Sequence, residues 1–198
     1  MKTKHQHTSA LCPQTENVII QLFFEFAQLK SIFRQGWLKR GVPEEKCESD
    51  ADHIFMVALL GYIISLEYRP DLDSLKVMQL GLFHELGEIY AGDITPSDGV
   101  SLEEKQRREQ EAVEKVFEKL PNPERYIAIW REYDYMESPE AQFVKQIDKL
   151  ETVLMADLYK RLHFGGMDDF FPYIKQKLSS TELTTVFNEL MRVQPKDK

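Results

Sequence analysis

Two histidines and a run of acids are the residues of this chain whose types and spacing could do chemistry. His53 shares a helical face with apolar side chains, and His84 follows the apolar run LGLF. Glu85, Glu88 and Asp93 crowd the stretch just after His84. Burying several ionisable groups is costly unless they are paired or bind a metal. Imidazole and carboxylate ligands together favour Mn, Fe, Co, Ni or Zn, so these residues indicate a divalent-metal site.

A further acidic ligand is expected on another helix, and Asp148 is the candidate. Its helix is predicted to be largely buried because these neighbours are apolar: Phe143, Val144, Ile147, Leu150 and Leu154. Taken singly, the residues have simpler explanations: His53 is a core histidine with one hydrogen bond, and Asp148 is a surface partner of Lys145 or Lys149. Those explanations do not account for the occurrence of all of the residues together.

The composition limits the class of protein. The 198 residues carry 25 Lys and Arg against 33 Asp and Glu, a net charge of −8, which argues against a dedicated nucleic-acid binder. The two cysteines, Cys12 and Cys47, have no CxxC spacing, so neither a disulfide framework nor a zinc knuckle is expected. The longest apolar run, 55–66, is 12 residues, and about 20 are needed to cross a bilayer. The N-terminus lacks the apolar core of a signal peptide. We expect a cytoplasmic protein without a membrane partner.

Helical periodicity positions these residues. Because no stretch alternates with period two, we expect an all-α fold, a single bundle of about seven to eight helices over residues 16–195. Residues 1–15 are polar and predicted to form a loose tail, where His5 and His7 are a chance surface pair. The predicted helices cover 16–33, 49–68, 71–91, 101–120, 124–135, 138–163, 169–178 and 181–192.

Capping residues mark where several of these helices begin. Ser49 followed by Asp52 resembles a capping box, and Ser138 before Pro139 is an N-cap with proline at the first helical position. Gly92 ends the third predicted helix. The segments 34–48 and 93–100 are predicted loops by composition. The charged helix 101–119 is either a solvated face, which its RREQE pattern favours, or a lid over the site.

Three strings carry a resemblance to a known family. ESDADHIFMVALL, LGLFHELGEIYAGDITP and ESPEAQFVKQIDKLE occur in that order, with RQGWLKRG upstream. Together they resemble the HD-domain metal-dependent phosphohydrolases, over about residues 22–165. The branch they resemble is the small 5'-deoxynucleotidases, which remove phosphate from deoxynucleoside 5'-monophosphates.

The resemblance implies roles for particular residues. One divalent transition metal (Co, Mn, Zn, Fe or Ni) would be bound by His53, His84, Glu85 and Asp148. Glu88 and Asp93 would be catalytic, serving the leaving group and the attacking water. Arg34 and Trp37 would border the nucleotide substrate, and Thr95 matches more loosely. For Trp37 the alternative is a partly exposed hydrophobic anchor of its loop. A homodimer is also expected, because relatives of this size commonly pair.

One departure from the family stands at the metal site. The doublet reads His84–Glu85 where the family has His-Asp, and glutamate adds one methylene, about 1.5 Å of reach, at bond lengths of about 2.0–2.2 Å. The alternative function is therefore a catalytically impaired nucleotide-binding or scaffolding protein on the same fold. A decayed site is expected to lose Glu88 or Asp93 as well, and both are present, which favours the enzyme.

Overall fold

The computed structural model describes residues 2–194. Over that range the regular structure is helical apart from two isolated β-bridges, which confirms the all-α prediction. Residue 1 of the predicted tail and the predicted domain end at 195 lie outside this range. The helices are α1 (Val18–Phe26), α2 (Gln35–Leu38), α3 (Asp50–Tyr68), α4 (Ser74–Phe83), α5 (Glu88–Ala91), α6 (Leu102–Phe117), α7 (Glu124–Asp134), α8 (Pro139–Arg161), α9 (Phe170–Lys175) and α10 (Thr181–Val193).

Helices α3, α4 and α8 pack against one another at the centre of the bundle. Their apolar side chains form much of the buried core, among them Val57, Val77, Leu80, Ile147 and Leu150. Each such side chain contributes roughly 1.5–3 kcal/mol when fully buried. Because His53 lies on α3, His84 just after α4 and Asp148 on α8, packing of these three helices brings distant parts of the sequence to one place.

The start of α3 is fixed by the predicted capping box. The Ser49 backbone N–H donates to Asp52 Oδ2 at 2.8 Å, and Ser49 Oγ accepts from the Asp52 N–H. His53 therefore lies in the first turn of α3. By length and composition α3 could cross a membrane. Its buried Asp50 and His53 and its packing against α4 and α8 identify it instead as a core helix of the bundle.

A close contact between α3 and α4 sets the spacing of these helices. A Cβ atom on Gly81 would lie 2.8 Å from the Ala58 Cα and 3.2 Å from its Cβ. Only glycine allows the two backbones to approach this closely. The approach brings the end of α4, and with it His84, next to the first turn of α3.

The single helix predicted over 71–91 is wrong in its interior. α4 ends at Phe83, α5 begins at Glu88, and a turn connects them. In this turn the Leu86 N–H bonds to the Phe83 carbonyl and the Glu88 N–H to the Glu85 carbonyl, a tighter pattern than that of an α-helix. His84 Nδ1 donates to the Gly81 carbonyl at 2.7 Å, so an imidazole competes for a carbonyl that the helix would use.

The segment predicted as loop 34–48 contains the short helix α2, and this helix positions two predicted site residues. Arg34 is its N-cap residue and Trp37 lies within it. The Arg34 N–H bonds to the Glu48 carbonyl at 3.1 Å, which holds the segment against the start of α3. Asp93 Oδ2 accepts from the Gln35 N–H at 2.5 Å, which joins α2 to the loop after α5.

The N-terminal residues are not the loose tail that their polar composition predicted. The Lys2 N–H donates to Gln35 Oε1 at 2.8 Å, and Thr8 is buried with its N–H bonded to Gln28 Oε1 at 2.9 Å. His7 stacks on Tyr90, with ring centroids 4.7 Å apart. Polar side chains hold this segment to the bundle through hydrogen bonds, and apolar periodicity does not report such bonds.

Candidate active site

His53 and His84 face each other through the same ring nitrogen. Their Nε2 atoms are 3.2 Å apart, and both side chains are buried. His84 Nδ1 donates to the Gly81 carbonyl, and His53 Nδ1 bonds to Glu151 Oε2 at 2.6 Å. With both Nδ1 atoms protonated, neutral rings turn the lone pairs of both Nε2 atoms toward a shared point. A cation must lie between such atoms, and a divalent metal fits this requirement.

The surroundings shift the pKa values of the two imidazoles in opposite directions. Burial and Arg34 lower the pKa of His53, but Glu151 and Asp148 outweigh them and raise it to about 10. Burial lowers the pKa of His84 to about 4.

Two carboxylates approach the same point. Asp148 Oδ1 lies 3.4 Å from His53 Nε2, and Glu85 Oε1 lies 3.8 Å from His53 Nε2 and 3.7 Å from His84 Nε2. Ligands bound to one metal at about 2.0–2.2 Å are themselves about 3–4 Å apart. His53, His84 and Asp148 in particular form a buried group able to hold a metal ion. The donor set and its separations fit a divalent transition metal.

Asp148 and Glu85 are held in the charged form that a metal ligand needs. Burial raises the pKa of each, but nearby cations outweigh it. Lys149, whose Nζ lies 2.9 Å from Asp148 Oδ2, and His53 keep the pKa of Asp148 well below its usual range. Arg34, Lys105 and His53 are among the positive charges that lower the pKa of Glu85 to about 2. The Asp148–Lys149 contact that the simpler explanation predicted is thus present, within the cluster.

Arg34 lies among four carboxylates. Its Nη1 atom is 3.1 Å from Glu85 Oε1, 3.9 Å from Asp93 Oδ1, and 4.0 Å from both Glu88 Oε2 and Asp50 Oδ1. Burial, followed by the charge of Glu85, raises the pKa of Glu88 well above its usual range. Burial raises that of Asp50 to about 8. One guanidinium is thus placed against a set of acids of which two favour the protonated form.

A cavity of about 480 Å³ opens onto this cluster. The predicted site residues that line it are Arg34, Trp37, Glu85, Glu88, Asp93, Thr95 and Asp148. Trp37 is only 3% exposed, and its Nε1 donates to Glu48 Oε1 at 2.7 Å, so it is a wall of the cavity and not a partly exposed anchor. Thr95 Oγ1 accepts from Lys39 Nζ at 2.5 Å at the rim.

The charged helix over 101–119 corresponds to α6, which is neither wholly solvated nor a separate lid. Val113 and Phe117 on one face are buried in the core, and Lys105 lines the cavity. α6 also packs against α5, where a Cβ on Gly87 would meet the Glu109 Cβ at 2.6 Å.

Sequence reasoning missed two buried acids at the site. Glu151 holds His53 from behind, and Asp50 contributes a carboxylate beside Arg34. The spacing could have indicated Glu151, because it follows Asp148 by three residues and therefore lies on the same face of α8. Asp50 lies in the first turn of α3, where an acid is ordinarily explained by the helix dipole.

Comparison with known proteins identifies relatives of this chain. The family model described as HD domain matches residues 26–191. The chain is 37% identical to 5'-deoxynucleotidase HDDC2 of Mus musculus over 168 residues, covering 82% of this chain and 81% of the relative. It is 34% identical to 5'-deoxynucleotidase HDDC2 of Homo sapiens over 176 residues, covering 87% and 84%.

Solved structures share the fold. The PH0347 protein of Pyrococcus horikoshii OT3 superposes with a TM-score of 0.72 at 33% identity, covering 88% of this chain and 99% of that one. A predicted metal-dependent phosphohydrolase from Magnetospirillum magnetotacticum MS-1 superposes with a TM-score of 0.67 at 25% identity, covering 88% and 92%. The match extends from Phe26 to Met191 and includes all the helices that bring the histidines and acids together, so this chain belongs to the HD-domain family.

Proposed function

We propose that this protein is a metal-dependent phosphomonoester hydrolase that converts deoxynucleoside or ribonucleoside 5'-monophosphates to nucleoside and phosphate. The proposal rests on four possible ligand atoms that converge at the base of the cavity, with distances of 3.2–3.8 Å between neighbouring atoms. They are His53 Nε2, His84 Nε2, Glu85 Oε1 and Asp148 Oδ1. The relatives named 5'-deoxynucleotidase support the choice of substrate class.

Those four residues would hold one divalent transition metal, and Mn, Fe, Co, Ni and Zn all suit the donor set. When bound, the metal supplies positive charge to the phosphoryl oxygens and activates a water molecule. The remaining chemistry belongs to side chains of this chain. The side chains around Arg34 have two tasks, which are to bind the phosphate and to transfer protons.

Arg34 donates hydrogen bonds to the phosphate, for which a guanidinium is suited by its planar fork of donors. Asp93 accepts the proton of the attacking water, and its bond from the Gln35 N–H holds the carboxylate in place. Glu88 gives a proton to the leaving 5'-oxygen, a role for which burial suits it because burial raises the pKa of its carboxyl group. Trp37 excludes water along one wall of the cavity.

The arrangement of the acids disfavours the impaired-protein alternative. Glu88 and Asp93 are both retained and both lie within 4.0 Å of Arg34. Glu85, the residue that departs from the family doublet, still brings Oε1 within 3.8 Å of both imidazole Nε2 atoms. Glu85 lies in the turn between α4 and α5, and from there its side chain reaches both imidazoles.

The proposal extends to assembly and location. One face of α3 exposes Phe55, Leu59, Ile63 and Leu66, and α1 exposes Ile19 and Phe23. Such apolar faces are typical of subunit interfaces, so we propose that two copies of the chain pair through them as a homodimer. The net charge of −8 supports a small-molecule substrate in preference to nucleic acid. We place the enzyme in the cytoplasm, with no membrane partner.

The test is phosphate release from a panel of ribo- and deoxyribonucleoside 5'-monophosphates. The protein is stripped of metal and refilled with Co, Mn or Zn, with H84A as the matched variant. We expect release that requires metal and is abolished in H84A. No release with any metal from a folded protein would leave the impaired-protein alternative as the better description.

A further inference from the structure

We propose that α9 provides a nucleobase subsite, in which Tyr173 stacks on the base of the bound nucleotide. This inference rests on the proposed function, because it assigns the part of the substrate that lies away from the phosphate. Neither Tyr173 nor any other residue of α9 figures in the metal site or in the roles given above.

The cavity is lined by two chemically different sets of residues. Its base is charged and polar, with Arg34, Glu85 and Asp148 around the point where the phosphate is expected. A second set of lining residues belongs to α9 and the residue before it. Three of the side chains lining the cavity are aromatic, namely Trp37, Phe170 and Tyr173, and two of these three belong to α9. A planar base therefore finds most of its aromatic surface on α9.

Only one of the three aromatic rings is free to receive a base. Trp37 is buried and packs edge-on against Tyr159, at 5.3 Å between centroids. Phe170 carries the Arg40 guanidinium on its ring at 4.2 Å and contacts Trp37 at 4.8 Å. Tyr173 is 54% exposed, and the cation over its ring, Lys177 Nζ, lies farther away, 5.5 Å from the ring centroid.

The packing of α9 holds Tyr173 in place at the cavity. Phe171 and Ile174 are buried and fix the helix to the core. Arg40 Nη2 bonds to Asp169 Oδ2 at 2.6 Å, next to the start of α9. Arg40 follows α2, so the same segment that supplies Arg34 and Trp37 also anchors α9.

The size of the cavity and the chemistry of the α9 side chains that line it agree with the proposed ligand. About 480 Å³ lies within the range of small-molecule pockets, roughly 300–1,000 Å³. Stacking on an aromatic ring is tolerant of sequence because every base has a π-face. The subsite is therefore expected to bind purines and pyrimidines alike, and to require a base without selecting among bases.

The experiment compares a nucleotide with its base-less counterpart. Deoxyadenosine 5'-monophosphate and deoxyribose 5-phosphate are each offered as substrate to wild type, Y173A, Y173F and Y135A, and the rate of hydrolysis is measured. Tyr135 is a similarly exposed tyrosine, 48%, that does not line the cavity. We expect the ratio of kcat/KM for the nucleotide to that for the base-less substrate to fall about tenfold in Y173A, the scale of one lost stacking contact. The ratio is expected to stay within about twofold of wild type in Y173F and Y135A, because both keep the ring at position 173.

Binding to metal-stripped protein separates this inference from the proposed function. Calorimetry with deoxyadenosine 5'-monophosphate is expected to show about tenfold weaker binding to Y173A than to wild type, and little difference with deoxyribose 5-phosphate. Equal nucleotide affinities of wild type and Y173A would overturn the base subsite, even if hydrolysis is efficient. Absence of hydrolysis by wild type would overturn the proposed function, while a weakened Y173A affinity would still support the subsite.

Discussion

At the scale of single residues, the site depends on how each imidazole is held from behind. His53 Nδ1 bonds to Glu151 and His84 Nδ1 to the Gly81 carbonyl, so the two Nε2 atoms are fixed in orientation before any ligand arrives. A backbone carbonyl cannot be removed by substitution, whereas the Glu151 carboxylate can. Glu151 is therefore the position at which this arrangement is testable.

We predict that E151Q lowers metal affinity by about 10–100-fold, the usual effect of losing a partner that orients a histidine ligand. The physical reason is that a neutral amide holds the His53 ring less firmly and no longer raises the basicity of its Nε2. Competition with a chelator measures the dissociation constant. E114Q on the exposed face of α6 is the control, and an E151Q constant equal to that of the control would contradict the role.

The glutamate of the doublet gives a second prediction at this scale. E85D would restore the doublet typical of the family, but the aspartate side chain is shorter. Its carboxylate would not reach the position at which Glu85 Oε1 lies 3.7–3.8 Å from both Nε2 atoms. We expect E85D to bind metal on the order of tenfold more weakly than wild type. The cobalt absorption spectrum and the dissociation constant report the change. Tighter binding by E85D would mean that Glu85 is not adapted to this turn.

At the scale of secondary-structure elements, the spacing of α3 and α4 controls the site. Gly81 lies against Ala58, and the carbonyl of Gly81 also orients His84. A side chain at this position must push the two helices apart, and the two histidines would move with them. Fold stability and metal binding are thus coupled at one glycine.

We predict that G81A destabilises the protein by about 1–3 kcal/mol, the typical cost of overpacking a core contact. The added Cβ would lie 2.8 Å from backbone, which has little freedom to shift. Urea denaturation measures the free energy of unfolding. G165A is the matched control, since a Cβ at Gly165 meets nothing within 4 Å. If the two variants are equally stable, α3 and α4 are free to separate without cost.

At the scale of the whole molecule, the apolar faces of α1 and α3 remain uncovered in a single chain. Ile19 is 70% exposed and Phe55 60%, which are high values for large apolar residues. The site, in contrast, is charged, and it is enclosed among α2, α3, α4 and α8. Pairing through the apolar faces would leave the mouth of the cavity to the substrate.

We predict that the double variant F55E/I63E is a monomer under conditions in which wild type is a dimer, because two buried charges without partners would oppose association. Sedimentation equilibrium measures the mass. L102E is the control, since Leu102 is exposed to a similar extent on α6, away from these faces. A monomeric wild type, or a double variant that stays dimeric, would show that the interface lies elsewhere or does not form.

Local features of the sequence determined the helical class and several helix starts. Helix formation depends on bonds between residues four apart and on apolar periodicity, both of which are local. The helix starts at Ser49 with Asp52 and at Ser138 before Pro139 can therefore be predicted without knowledge of any tertiary contact. His53, His84 and Asp148 could likewise be identified as candidate metal ligands from the sequence, because acids and histidines on apolar helices are recognisable by residue type alone.

Only the tertiary structure decided how those residues are used. The burial of Trp37 against Tyr159 and the support of His53 by Glu151 depend on contacts between segments far apart in sequence. Such contacts follow from which helices pack together and how closely, as at Gly81 and Ala58. Packing is a property of the whole bundle, whereas helical periodicity is a property of each segment.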